Sequence, residues 1–174
     1  MCGSWLPSPV ATPLKSSFAA IVDVNTRVVV LGSLPGDMSL EYKQYYARPT
    51  NQFWRLMSAV LDRDFVNLPY DERLAELLAA RIGLWDVIQS AKRMGSGDGA
   101  IRDYTANALQ EFANSLPYLK ALAFNGGKTA IIGRKQLIVP HSHAILALPS
   151  SSAAYCSISL QQKLEAWLAI RDYL

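Results

Sequence analysis

Cysteine and histidine are scarce in this chain, and each shortage removes a class of chemistry. Its two cysteines, Cys2 and Cys156, lie at opposite ends without C-x-x-C spacing, which argues against a structural zinc site or an iron-sulfur cluster. A reducing, cytoplasmic compartment is the simpler expectation. The two histidines, His141 and His143, share one face of an extended segment, but no cysteine or acidic cluster accompanies them, so they read as surface or turn residues. No metal or cofactor is expected. No stretch reaches the roughly 18 apolar residues of a membrane span, and the N-terminus shows no basic-then-apolar leader pattern. Charge of one sign is also missing. The net +3 and pI near 8.9 suit a polyanion partner without the charge density of a dedicated nucleic-acid tail.

What the chain has in quantity is apolar side chain, 51% of 174 residues, enough for one ordinary packed domain. Residues 1–19 are rich in proline and serine and read as an extended arm; the domain proper is expected over 20–174. Val28-Val29-Val30-Leu31 is a continuous apolar run of the kind buried on both faces of a parallel sheet. A helix over 51–62 follows from Phe53, Trp54, Leu56, Met57, Val60 and Leu61 at helical spacing. Another begins at Pro69-Tyr70-Asp71, with Leu74, Leu77 and Leu78 on one face and Gly83 as its stop, before a strand over 84–87. Residues 92–100, with three glycines and the adjacent cations Lys92 and Arg93, read as a surface loop.

Beyond it the pattern predicts a helix over 104–116, a buried strand over 119–124, a helix over 128–133, strands over 136–139 and 144–148, and a last helix over 157–172. Alternating strands and helices predict an α/β fold: a three-layer α/β/α sandwich around a mainly parallel sheet of four or five strands. Ligands of such sheets gather beyond the carboxyl ends of the strands. Three polar turns converge there, after Leu31, after Phe124 and after Leu148.

The first turn, Gly32-Ser33-Leu34-Pro35-Gly36, lets backbone approach a flat ring, for which Tyr45 and Tyr46 offer π-faces. Asn51 fits a plain helix cap as well as a functional amide. Lys128, Arg102 and the Lys92-Arg93 pair could each hold a phosphate or simply face solvent. Asp98 suits a loop cap or a contact. The last turn, Pro149-Ser150-Ser151-Ser152, has side chains small enough to pass close to a phosphate backbone.

Four blocks together resemble the uracil-DNA glycosylase superfamily, and within it the hypoxanthine-DNA glycosylase branch: Gly32 to Gly36, Gln44-Tyr45-Tyr46 through Asn51-Gln52-Phe53-Trp54, Gly95 to Ile101, and Leu148 to Ser152. The resemblance covers about residues 18 to 168. It implies a metal-free glycosylase that hydrolyses the N-glycosidic bond of a deaminated base flipped out of double- or single-stranded DNA, acting as a monomer. Hypoxanthine is favoured, with uracil and xanthine as alternatives. Glycosidic cleavage builds positive charge on the sugar and negative charge on the leaving base, so extrusion, a placed water and anion stabilisation suffice.

Many members carry Asn or Asp in the first turn to position that water, and Leu34 stands there here. The resemblance therefore moves the catalytic role to Asn51. It makes Tyr46 the stacking platform and assigns the base edge to backbone amides of Ser33, Leu34 and Gly36. Arg48, Lys128 and Pro149-Ser150-Ser151-Ser152 fall to the DNA backbone. Arg48-Pro49-Thr50-Asn51 replaces the more usual His-Pro-Arg-Asn, putting a permanent cation where an imidazole stands. Ser152, Ala153 and Ala154 are too small to wedge a duplex, which leaves Tyr155 or the 92–100 segment to fill the vacated space.

Two rival readings bound this one. Gly36-Asp37-Met38-Ser39-Leu40 superficially resembles the block of Gly-Asp-Ser-Leu hydrolases, but Met38 interrupts it and His141 has no acid two or three residues before it. A DNA-binding relative without activity would explain Leu34 and Arg48.

Overall fold

The structure, a computed structural model, describes residues 11–174. Most of the expected arm lies outside those residues or on their edge. Within them Leu14–Ser16 is a strand, β1. The chain then forms β2 (Val28–Gly32), α1 (Asp37–Tyr42), α2 (Phe53–Leu61), α3 (Tyr70–Ala79), β3 (Ile82–Asp86), β4 (Ile88–Lys92) and β5 (Arg102–Ala106). It continues with α4 (Leu109–Asn114), β6 (Ala121–Asn125), α5 (Gly127–Arg134), β7 (Ala144–Leu148) and α6 (Leu160–Trp167).

The central sheet is four-stranded, ordered β3-β2-β6-β7, and every pairing in it is parallel. β2 and β6 occupy its middle, and each is buried along its whole length, as their unbroken apolar runs require. One face of the sheet (Val28, Val30, Ile82, Leu84, Ala121, Ala123) packs with Phe53, Leu56, Leu77 and Trp167 from α2, α3 and α6. The opposite face (Val29, Leu31, Leu122, Phe124) packs with Leu109, Ala113, Ala130 and Ile132 from α4 and α5. Three layers result, as expected.

Several elements differ from expectation for physical reasons. Gly83 does not stop α3; it lies inside β3, where an added Cβ would come within 2.5 Å of Val22 Cγ1, because Ile21 bridges Leu84 across it. The chain leaves α3 at Arg81, which takes φ 66°. The helix expected over 104–116 divides into β5 and α4, since the exposed Tyr104-Thr105 pair favours a strand that β4 is there to receive. That pairing creates a second sheet, antiparallel, ordered β1-β4-β5. Residues 136–139 form no strand: Ile138 and Val139 are exposed and turn into a cis Val139-Pro140 bond. The 92–100 segment is only partly a loop, as Lys92 closes β4 and Asp98–Ala100 form a 3₁₀ turn.

α6 begins with a full capping box. The Ser159 hydroxyl accepts from Gln162 N, and the Gln162 side chain accepts from Ser159 N.

Candidate active site

Strand register places the site. Gly32 pairs with Asp86, and Leu31 with Phe124, so Asp86, Gly32 and Asn125 follow one another at the carboxyl ends of β3, β2 and β6 on a single face. Along that face the strands are apolar until the last residue, where they turn polar or glycine.

Asn125 links the converging loops. Its Nδ2 donates to Ser151 Oγ at 2.8 Å and to the Tyr46 hydroxyl at 3.2 Å, while its Oδ1 accepts from Ser151 N at 2.8 Å. Because Ser151 N can only donate, the orientation of the amide is fixed by chemistry. The Ser151 carbonyl in turn accepts from Gln52 N at 2.9 Å, which brings the Asn51-Gln52 dipeptide against the serine loop. Lys163, 1% exposed, donates to Gln52 Oε1 and to the Ser152 carbonyl, and desolvation holds its ammonium below the usual lysine range.

Tyr46 takes φ 54°, a left-handed conformation unusual for a tyrosine. Its ring stacks on Phe53 at 3.8 Å and an interplanar angle of 14°, and the residue is half-buried. Burial pushes its phenol well above the ordinary tyrosine value. Asn51 Oδ1 accepts from Phe53 N at 2.9 Å, an Asx turn that holds the first amide of α2 from one residue ahead of its N-cap position, Gln52. One oxygen lone pair and the Nδ2 donors remain to it beyond that turn.

The first turn is held from the 92–100 segment. Arg93 is fully buried and donates to the carbonyls of Leu34, at 3.1 Å, and Pro35. Asp98 Oδ1 accepts from Ser33 Oγ at 2.6 Å, and Ser96 Oγ accepts from Asp37 N at 2.9 Å. Leu34 itself turns its side chain into the core on the α4 and α5 side of the sheet, so backbone is what it offers a ligand. Gly36 begins α1 and lies close to Ser96, whose Oγ would be 3.3 Å from an added Cβ.

The remaining expected residues are more dispersed. Arg48 is exposed, and its carbonyl accepts from Asn51 N. Lys128 reaches the Asp98 carbonyl. The Pro149 carbonyl accepts from Trp167 Nε1 at 2.9 Å. Ser150 Oγ accepts from Ser152 N, and Ser152 Oγ from Ala154 N, turning the loop on itself. Tyr155 is exposed at its rim, with Lys163 Nζ 5.3 Å from the ring centroid. His141 and the Ser142–His143 contact lie elsewhere, and no group of three metal-ligating side chains occurs among the described residues.

Sequence reasoning overlooked two residues that the fold brings here, Asn125 and Asp86, and read Arg93 as a phosphate contact or solvated cation where it is a buried clamp. The only local signal for Asn125 was a polar amide ending an apolar strand before Gly126-Gly127. A shallow surface concavity of about 510 Å³, lined by Arg55, Ser58, Asp62 and Arg63 among others, lies toward the other end of α2 and touches none of these groups.

Known proteins share this fold and much of the sequence. A hypoxanthine DNA glycosylase of Methanosarcina acetivorans is 36% identical over 157 residues, covering 90% of this chain and 98% of the relative. One from Methanosarcina barkeri is 41% identical over 115 residues, 66% of this chain and 73% of the relative. A Methanosarcina acetivorans protein solved by solution NMR, and described as a candidate uracil DNA glycosylase, superposes with a TM-score of 0.81 at 34% identity, covering 92% of this chain and 99% of that one. The family profile described as the uracil DNA glycosylase superfamily matches residues 19–171, and with the fold in agreement, the chain belongs to that superfamily.

Proposed function

We propose that this chain is a monofunctional DNA glycosylase that removes hypoxanthine flipped out of double- or single-stranded DNA, the first step of base excision repair, working as a cytoplasmic monomer. The observation that carries the reading is the hydrogen-bonded run from Tyr46 through Asn125 and Ser151 to the Asn51-Gln52 helix start. It forms one continuous polar rim beside an aromatic platform. The names of the two Methanosarcina relatives favour hypoxanthine as the base.

In this reading the extruded base stacks on the face of Tyr46 turned away from Phe53. Backbone amides of Ser33, Leu34 and Gly36 meet its edge. Asn51, fixed by its Asx turn to Phe53 N, uses its remaining amide groups to orient water toward the anomeric carbon. The cation forming on the sugar is stabilised by the phosphates of the DNA itself, so no covalent nucleophile is needed. Pro149 to Ser152 pass along the phosphate backbone, and Arg48 and Lys128 supply charge, Lys128 while keeping the Asp98 carbonyl as a second partner.

The test is a panel of duplexes, each carrying one deaminated base, incubated with wild type and Asn51→Ala. Wild type is expected to release hypoxanthine, and the variant to lose about 100-fold or more in single-turnover rate with its fold retained. Release of uracil but not hypoxanthine would overturn the substrate, and an unchanged variant rate would overturn the role of Asn51.

A further inference from the structure

At the polar ends of the strands Asn125 has partners for its amide on both sides, whereas Asp86 does not. Asp86 is 3% exposed, its Oδ2 has no hydrogen-bond partner, and among the described residues it forms no ion pair. A Cβ added to Gly32 would come 2.6 Å from Asp86 Oδ1 and 3.4 Å from the Tyr46 hydroxyl. Carboxyl and platform therefore close over the same glycine, and Gly32 is needed there because the carboxyl occupies the space a side chain would take.

Four groups set the charge around it. The Arg93 guanidinium attracts the anion but is committed to the carbonyls of Leu34 and Pro35, Asp98 repels it, the Tyr45 hydroxyl donates toward it and offsets part of the cost, and the Tyr46 hydroxyl lies in its field. Desolvation outweighs what these groups return, and the neutral acid is the form such a site favours. Burial accordingly pushes Asp86 up to about 7.

We propose that Asp86 is the general acid of the excision step, donating its carboxyl proton to N7 of the extruded purine as the bond from C1′ to N9 breaks. The inference rests on the hypoxanthine reading above. The electron pair of the broken bond passes into the purine ring, and the proton from Asp86 makes the leaving group neutral hypoxanthine. Water adds to C1′, and its surplus proton returns through solvent to the aspartate. A purine gains from this in a way a pyrimidine does not, since uracil has no imidazole nitrogen to protonate.

The experiment measures single-turnover release from duplexes carrying deoxyinosine or 7-deaza-deoxyinosine, from about pH 5.5 to pH 9, with wild type and Asp86→Asn. Wild type is expected to act on deoxyinosine with a rate that falls about tenfold per pH unit above about pH 7, where the acid ionises. The 7-deaza substrate should be released about 100-fold more slowly, without that fall. Asp86→Asn should bring deoxyinosine down to the same slow, flat rate while binding of uncleaved duplex is retained.

Equal wild-type rates on the two substrates would overturn the proposal, as would a rate that rises with pH or a variant that keeps the wild-type profile. If Asp86→Asn does not fold, the two substrates with wild type decide alone. A wild type that releases no hypoxanthine at any pH overturns the glycosylase reading, and this inference with it.

Discussion

The two walls of the site are built on different principles. The turn from Ser33 to Gly36 is held by charged side chains from a segment about sixty residues away: Arg93 on two carbonyls and Asp98 on the Ser33 hydroxyl. The Pro149 to Ser152 wall is held mostly by neutral groups, Asn125, Gln52 and Trp167, with Lys163 as its one buried cation. A charge-assisted clamp is the stronger for each bond and the more damaging to cut, because what it leaves behind is buried and unpaired. The motif that stands out most in the sequence therefore depends on residues that do not. Lys92 and Arg93 make the contrast within one dipeptide: Lys92 pairs with Asp103 at 3.0 Å in solvent, while Arg93 is fully buried.

The largest break in this comparison should come from Arg93→Met. Two buried carbonyls lose their donor, and urea unfolding is expected to show about 4 kcal/mol of lost stability. A loss below about 1 kcal/mol would mean that the turn holds itself.

The floor between the walls gives the next effect. The folded-state value of Asp86, about 7, lies above the ordinary aspartate value, so the folded protein keeps a proton that the unfolded chain releases. Stability from this group is present below about pH 4 and is lost as pH rises to about 7, an effect of about 4 kcal/mol. Asp86→Asn should not show that loss and should be the more stable protein at pH 8. Parallel stability profiles for the two would contradict the buried neutral carboxyl.

Lys163→Met comes third, at about 2 kcal/mol, and should weaken DNA binding more than it slows the bond-breaking step, because it frees the Ser152 carbonyl and Gln52 together. Equal losses in affinity and in single-turnover rate would place Lys163 closer to the chemistry than its contacts suggest. Smallest is Lys92→Ala, expected within about 0.5 kcal/mol of wild type, since an exposed pair contributes little. A larger effect would remove the distinction between the neighbouring cations.

Much of the fold is legible in the chain. Val28 to Leu31 and Ala121 to Phe124 read as strands buried on both faces, and both lie in the middle of the sheet. The helix carrying Phe53 and Trp54 differs from its expected span only at the ends. β5 was not legible, because Tyr104-Thr105 becomes a strand only with β4 beside it. The site divides in the same way. Tyr46 and Asn51 stand in a block whose residue types point to their roles, and the structure brings that block to the strand ends. Asp86 and Arg93 look like ordinary surface charges in sequence, since nothing local distinguishes a charge that will face water from one the fold will enclose.

The sequence by itself determined the class of fold, the family, and which stretches meet at the carboxyl edge of the sheet, because apolar periodicity and turn chemistry act over a few residues. Only the tertiary structure decided what closes that edge. Strand register set Asp86 beside Gly32 and Asn125 on one face, and long-range packing withdrew Arg93 from solvent to hold the turn. Desolvation is a property of the assembled surroundings, and with the charges the fold sets beside it decides the state of a buried acid.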